Sequence, residues 1–233
     1  MSRFCQTILF AVLFTTIPVS AADWRQFRGP GGLGESDEKG LPEKWSETEN
    51  VVWKTKLPGL GTSCPITVGD AIYLTCYSGN GETVENPGQQ SNLKRHLVCL
   101  DRKTGVIRWT KDFKAELPES DYKAGNDSWH GYASSTPASD GQHIYAFFGK
   151  SGVFCFDLTG KKIWSVSAGT KTTGWGSATS PVLTKDLVIV NAAVVKWRDD
   201  RLQEVRRQGG LEDSRPVQRL EFANSDRSAQ GQD

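Results

Sequence analysis

A repeated pattern in the middle of the 233-residue chain constrains its fold more than any other feature. Three segments, beginning at Thr62, Ser134 and Ala178, align with one another, and each places a proline eight positions before a β-forming residue. A second block occurs twice, as V-C-L-D-R-K-T-G-V-I-R-W ending at Trp109 and F-C-F-D-L-T-G-K-K-I-W ending at Trp164. Regular repetition of this kind indicates units that stack or are arranged radially.

Each repeat predicts four short strands joined by tight turns. The D-x-x-T-G and D-L-T-G sequences place Asp101 before Gly105 and Asp157 before Gly160. In such turns the Asp and Thr side chains bond the backbone, and Gly adopts the positive φ that the turn requires. Four short antiparallel strands per repeat are typical of a β-propeller blade, so the sequence predicts an all-β fold.

Tryptophans at a fixed offset from these turns are predicted to be structural. Trp109 and Trp164 follow the two turns, and Trp53 stands earlier in a similar context, V-V-W-K-T-K-L. A buried indole removes a large apolar area from water, so we interpret all three as residues that dock an outer strand on its blade and not as ligand contacts. The chain is thus expected to hold about two and a half blades and one further outer strand at residues 51–57.

The charge balance excludes some classes of partner. The chain has 28 basic and 27 acidic residues, and a protein without an excess of positive charge does not attract nucleic acid or an anionic membrane electrostatically. The 24 glycines and 10 prolines favour a turn-rich chain of short elements.

The first 22 residues have the pattern of an export signal. Arg3 is followed by an apolar run from Ile8 to Ile17 and by small residues before Asp23. The run is shorter than the roughly 20 residues that a membrane-spanning helix needs. We therefore predict a cleaved signal peptide at residues 1–22, a periplasmic or secreted location and no stable membrane anchor.

Cysteines and histidines show no metal-site spacing. Cys64, Cys76, Cys99 and Cys155 would lie in a compartment that permits disulfides, and their spacing does not choose among the three possible pairings. None forms C-x-x-C, and the histidines are scattered. No metal is expected.

The combined motif, S-x-P followed by C-x-D-x-x-T-G-x-x-x-W, resembles the pyrroloquinoline-quinone (PQQ)-like β-propeller repeat. This repeat is found in quinoprotein dehydrogenases and in the scaffold lipoprotein of the outer-membrane barrel-assembly machinery. The stretches D-W-R-Q-F-R-G-P and H-G-Y-A-S-S-T-P are similar to exported bacterial members of the superfamily, and the resemblance covers residues 23–195. Cys99 and Cys155 stand where the repeat usually has Ala, which implies small buried side chains.

The resemblance leaves two functional classes open. Quinoprotein dehydrogenases carry adjacent paired cysteines and a Glu/Asn/Asp calcium cluster beneath the quinone. This sequence has no Cys-Cys step and no matching ligand motif. We therefore expect a non-catalytic binding or assembly scaffold without a cofactor, with a protein or cell-envelope component as partner. The alternative is a fragment of a PQQ-dependent oxidoreductase that requires PQQ and calcium.

Two long connections suggest where a partner would bind. In a meander blade, the loop between strands two and three and the crossover to the next blade lie on one face. Both are long here, at residues 78–95 and 114–133, and long loops are often functional. We therefore predict a partner- or ligand-binding rim formed by four residues, with an alternative in which these aromatic residues only cover the crossovers: Trp129, His130, Tyr132 and Trp175.

The end of the chain departs from the repeat. Residues 196–233 lack a turn motif with a following tryptophan, and few of them are apolar. We therefore expect a disordered or out-of-frame tail. Because propellers close with four or more blades, the chain is expected to be a truncated part of a longer protein. The alternative is a complete chain whose open blade edges associate with another chain.

Overall fold

Strands account for nearly all regular structure in the computed structural model, which describes residues 22–122, 129–168 and 178–191 and the backbone of residues 202–206. Two antiparallel sheets have four strands each in sequential order, and a further sheet has three strands in the described residues. Apart from residues 129 and 130, whose backbone is helical, and three short 3-10 turns, the described residues contain only strands, turns and loops. The predicted all-β fold, an incomplete propeller of four-stranded blades, is confirmed.

The two four-stranded sheets are the first and second blades, and the three-stranded sheet is the third. The first blade comprises β1 (Ile66–Val68), β2 (Ala71–Ser78), β3 (Lys94–Asp101) and β4 (Ile107–Lys114). The second comprises β5 (Ala138–Ser139), β6 (His143–Phe147), β7 (Val153–Asp157) and β8 (Lys162–Val166). The third comprises β9 (Val182–Leu183), β10 (Leu187–Asn191) and β11 (Leu202–Arg206).

The third sheet extends into the segment for which the sequence predicts disorder. Five residues, Leu202–Arg206, pair antiparallel with Leu187–Asn191. The segment lacks the turn motif on which the sequence-based expectation depended, but backbone pairing along a strand edge does not require that motif. The remainder of the predicted tail at residues 196–233, like the predicted signal peptide up to residue 21, lies outside the described residues.

Apolar layers between successive blades form the core. One layer joins Tyr73 and Leu97 of the first blade to Ile144 and Phe156 of the second. The next layer lies between the second and third blades, around Tyr145, Phe147, Val188 and Val190. The second blade is therefore apolar on both faces, because each of its faces packs against a neighbouring blade, as expected for a radial array.

Two of the three docking tryptophans pack on a turn glycine. The ring of Trp109 in β4 lies over Gly160 of the second blade, where a Cβ would approach the indole to 2.9 Å. Trp53 occupies the same position relative to Gly105 in the first blade, and its Nε1 donates to the carbonyl of Arg102 at 3.2 Å. Trp164 is partly buried in the layer between the second and third blades.

The turns that carry these glycines are held by side-chain hydrogen bonds. Asp101 Oδ1 accepts from the backbone N–H and hydroxyl of Thr104 at 2.8 and 2.9 Å, and Asp157 Oδ1 accepts the equivalent bonds from Thr159 at 2.9 and 2.6 Å. Gly105 has φ 71° and Gly160 has φ 83°, a backbone conformation that side chains with a Cβ adopt only under strain.

The predicted outer strand at residues 51–57 forms no ladder in the described residues. Trp53, Thr55 and Leu57 are half-buried against the first blade, and the residues between them are exposed. Such alternation is typical of a strand. A strand assignment requires a hydrogen-bonded neighbour, and the described residues contain no blade that precedes this segment.

Candidate functional site

The two long connections of the first blade lie together on one side of the sheets, and we call their described residues (79–93, 115–122 and 129–132) the loop face. Tyr132, in the second connection, makes a T-shaped ring contact with Tyr77 near the end of β2, where the first connection begins. The two ring centroids are 5.4 Å apart. The Tyr132 hydroxyl donates to the carbonyl of Ser120 at 2.7 Å and accepts from Asn80 Nδ2 at 3.2 Å. Tyr132 is therefore held inside the loop face by both connections, an arrangement that fits the alternative of a covering aromatic residue.

A buried ion pair holds the loop face against the second blade. Arg95 Nη2 lies 2.7 Å from Glu119 Oε1, and each side chain is only 5% exposed. Arg95 also donates to the carbonyl of Tyr132 at 2.9 Å and to Ser151 Oγ at 2.9 Å. Because the charges are paired and hydrogen-bonded, the cost of their burial is largely offset. Lys150 adds a hydrogen bond to the carbonyl of Pro118.

The predicted rim residues occupy different environments. The Trp129 side chain is exposed, with 74% of its surface accessible. His130 is half-buried, and its Nδ1 lies 3.0 Å from the carbonyl of Gly131 and 3.4 Å from Ser134 Oγ. His130 Nε2 is buried without a hydrogen-bond partner in the part of the chain that the structure describes. Trp175 lies outside the described residues.

Sequence reasoning missed the residues that stabilise the loop face. Arg95, Glu119 and Lys150 come from β3, the crossover and the turn after β6. These side chains follow no repeat spacing and no known motif, so only their tertiary contacts reveal that they hold the loop face against the second blade. Apolar side chains nevertheless remain exposed on the loop face at Val84, Leu117 and Trp129.

A cleft lies apart from the loop face, where the segment at Trp24 and Arg25 crosses β1 of the first blade and β5 of the second. Trp24 N–H donates to Thr67 Oγ1 at 2.7 Å, and Thr67 N–H donates to the carbonyl of Trp24 at 2.9 Å. Ser139 N–H donates to the carbonyl of Arg25 at 2.8 Å. The resulting cleft has a volume of about 440 Å³ and is lined on one side by Arg25, Asp23 and Asp140. The Arg25 guanidinium is already paired with Asp23 at 2.6 Å. No sequence motif predicts this crossing.

The four cysteines of the described residues are unpaired. Burial raises the pKa of the Cys76 and Cys99 thiols to about 11 and that of Cys155 to about 12. Raised values leave the thiols protonated at neutral pH and poorly reactive. Cys64 is exposed, which distinguishes it from the other three.

Neither a metal cluster nor a spanning helix occurs in the described ranges. No three His, Cys, Asp or Glu side chains are grouped closely enough there to hold a metal ion. Likewise, within those ranges, no helix has the length and apolar character needed to cross a bilayer.

The sequential four-stranded sheets, the inter-blade apolar layers and the repeated turns define a β-propeller built from PQQ-like repeats. The family model described as outer membrane protein assembly factor BamB matches residues 46–231. Because this match covers most of the sequence, the chain belongs to that family.

Solved structures give a more distant similarity. The crystal structure of BamB from Moraxella catarrhalis is 16% identical, with a TM-score of 0.39, over 66% of this chain and 36% of that chain. The matched region therefore spans little more than a third of that protein's length. No curated protein matches the sequence.

Proposed function

We propose that this chain is an exported propeller scaffold that binds a protein partner of the cell envelope through the loop face. The observation that carries the proposal is the family match over residues 46–231, whose description names an outer membrane assembly factor. Binding through loops on a rigid β-scaffold is a common use of such folds.

The arrangement of the loop face supports this role. Its two connections are joined by the Tyr132 contacts and the Arg95–Glu119 pair, so their exposed side chains are held in place before any partner binds. Preorganisation lowers the entropic cost of association. Trp129 and Leu117 offer exposed apolar surface, and tryptophan is among the residues that contribute most to protein interfaces.

The proposal assigns no PQQ or calcium to the binding role, and it treats the chain as part of a longer protein. The two four-stranded sheets and one three-stranded sheet found in the described residues support the second point, since closed propellers have at least four blades. Adding PQQ with Ca²⁺ should leave the thermal unfolding temperature unchanged, and removal of the unbound PQQ should leave no quinone absorbance with the protein. A stoichiometric quinone spectrum would instead favour the oxidoreductase alternative.

Site-specific crosslinking tests the loop face. A photoreactive amino acid would replace Trp129 in the full chain, and a control chain would carry it at Trp45, which is also exposed (64%) but lies before the first blade. We expect one envelope protein to be crosslinked from position 129 and not from position 45. Trp129→Ala should then weaken binding of that purified protein about 10-fold or more, as measured by interferometry.

Two results would contradict the proposal. Equal crosslinking from both positions would indicate nonspecific adhesion, and an unchanged affinity of Trp129→Ala would remove the loop face from the interface. The location is tested separately, by mass spectrometry of the mature N-terminus, which we expect near Asp23 in a periplasmic fraction.

A further inference from the structure

Three polar side chains on neighbouring strands of the first blade form a continuous hydrogen-bonded array. Ser78 Oγ lies 2.8 Å from His96 Nε2, and His96 Nδ1 lies 2.8 Å from Asp112 Oδ1. A neutral imidazole that donates from Nδ1 to the carboxylate leaves Nε2 free to accept the serine hydroxyl proton. These are the separations that a nucleophile, a general base and an orienting carboxylate require.

The array lies on an extension that the second blade lacks. Strands β2, β3 and β4 each have 8 residues, whereas β6, β7 and β8 each have 5. Aligning the two blades through their repeat places Ser78, His96 and Asp112 in the additional residues of β2, β3 and β4. All three extensions occur at the end of the blade nearest the loop face.

The propeller repeat does not require these residue types. The corresponding positions of the second blade, counted from the aligned tyrosines, cysteines and tryptophans, hold Lys150, Gly152 and Ser167. A blade therefore forms without the array, and its presence in the first blade needs another explanation.

Solvent reaches both ends of the array. The Asp112 side chain is 56% exposed, and Ser78 is half-buried beside the exposed Gly79, whereas the His96 ring between them is buried. Ring burial protects the two hydrogen bonds from competition with water and keeps the imidazole oriented.

Positive charge flanks the serine. Lys94 is the residue directly opposite Ser78 in the ladder, and Lys114 is opposite Lys94, so both project from the same face of the sheet as the array. Both lysines are exposed. Ammonium groups beside a nucleophile attract an anionic substrate and can stabilise negative charge that develops on a carbonyl oxygen.

We propose that Ser78, His96 and Asp112 form a nucleophilic site that hydrolyses carboxylic esters bearing an anionic group. This activity goes beyond the proposed binding role, does not rest on it, and departs from the sequence-based expectation of a non-catalytic chain. Ser78 is the nucleophile, His96 the general base and Asp112 the residue that orients the imidazole. Lys94 binds the anionic group or the oxyanion.

The reaction balances with water as the only co-substrate. Ser78 Oγ forms a bond to the ester carbonyl carbon while its proton passes to His96 Nε2. The carbon–oxygen bond of the ester then breaks, and the imidazolium returns the proton to the departing alcohol. Water attacks the acyl-serine with His96 again taking its proton, the acid is released, and Ser78 regains its hydrogen.

An activity-based probe tests the site on the full-length chain. A fluorophosphonate should label the protein at Ser78, located by mass spectrometry of the modified peptide. Ser78→Ala should abolish the label, and Asp112→Asn should slow labelling at least about 100-fold, because the amide no longer holds the imidazole in the required tautomer. The matched control is Ser134→Ala, because Ser134 Oγ lies 3.4 Å from His130 Nδ1 in a contact that includes no carboxylate. Labelling of this variant should equal that of the unmodified chain.

Substrate class is tested with two chromogenic esters. The chain should hydrolyse mono-4-nitrophenyl succinate faster than 4-nitrophenyl acetate, and Lys94→Gln should remove the preference.

Thermal unfolding of every variant shows that it is folded. Absence of label from Ser78 in the folded chain, or an unchanged labelling rate in folded Asp112→Asn, would overturn the proposal and show that the array is structural. Capture of an envelope protein from position 129 would be unaffected by Ser78→Ala, so the two proposals fail independently.

Discussion

Single residues at the turns control how the blades dock. Gly160 must combine a positive φ with the absence of a side chain, because the Trp109 ring of the first blade lies directly over it. Gly69 also has positive φ, at 57°, but a Cβ there would meet no atom within 4 Å. The two glycines therefore separate backbone strain from loss of packing.

Gly160→Ala is expected to destabilise the protein more than Gly69→Ala. Both substitutions place alanine in the left-handed region, at a cost of about 1–2 kcal/mol. Only the change at Gly160 also displaces an indole, which adds about 1–3 kcal/mol. Chemical denaturation of both variants measures the difference, and equal losses would show that Trp109 does not depend on this glycine.

Acid should weaken the turn at Asp101. The Arg108 guanidinium and the Thr104 hydroxyl bond this carboxylate and hold its pKa below the usual range. A carboxyl whose pKa is lower in the folded state stabilises the fold above its ordinary pKa of about 4, and this contribution is lost as the pH falls towards the folded-state value.

The unfolding temperatures of the unmodified chain and of Asp101→Asn should therefore differ at pH 7 and converge as the pH falls below about 4. Thermal unfolding followed by circular dichroism at several pH values measures this convergence. A difference that stays constant between pH 7 and pH 3 would contradict an electrostatic role for Asp101.

At the scale of elements, the loop face depends on a buried ion pair that the repeat does not contain. Arg95 from β3 and Glu119 from the crossover are both almost fully buried. The exposed pair Lys54–Glu47 offers a comparison, since its atoms are 3.0 Å apart but its side chains are 72% and 87% exposed. Burial, and not the presence of opposite charges, should decide how much each pair matters.

Glu119→Gln is expected to cost about 3–5 kcal/mol, because it leaves the Arg95 charge buried without its counter-ion. Glu47→Gln should change stability by less than about 1 kcal/mol. Urea denaturation gives both values, and hydrogen exchange should show the Glu119→Gln loss concentrated in residues 79–93 and 115–122. A loss below that of Glu47→Gln would mean that the crossover is held by other contacts.

At the scale of the whole molecule, hydrogen bonds near the prolines that precede the first strands join neighbouring blades. Cys64 N–H donates to Thr136 Oγ1 at 2.9 Å, and Thr136 N–H donates in turn to Ser180 Oγ at 3.0 Å. Thr75 adds a buried bond from its hydroxyl to the carbonyl of Ser135 at 2.9 Å. The residue that precedes each repeat proline (Cys64, Thr136 or Ser180) thus takes part in connecting one blade to the next.

Thr75→Val should therefore weaken the contact between the first two blades. The substitution preserves side-chain shape but removes the donor to a buried carbonyl, at a cost of about 1–3 kcal/mol. Thr48→Val, at an exposed position before the first blade, should be nearly neutral. Chemical denaturation measures both losses, and equal values would show that the inter-blade bond contributes no net stability.

The strand pattern could be predicted because it depends on local chemistry that repeats. Proline before a β-former, Asp and Thr before a glycine, and tryptophan at a constant offset each determine a short element by sterics or hydrogen bonding. The segment 202–206 escaped prediction because it carries none of these signals and its pairing depends on the available edge of β10.

Much of each candidate site, by contrast, could not be predicted from spacing. Trp129 was recognised because it stands in a long crossover, but the partial burial of Tyr132 depends on contacts from two separate connections. Ser78, His96 and Asp112 are separated by 18 and 16 positions, and only the register of three extended strands brings them together. The sequence alone therefore determined the blades, through short-range and repeated physics. The tertiary structure decided which polar side chains meet, because strand length and register are set by packing between distant segments.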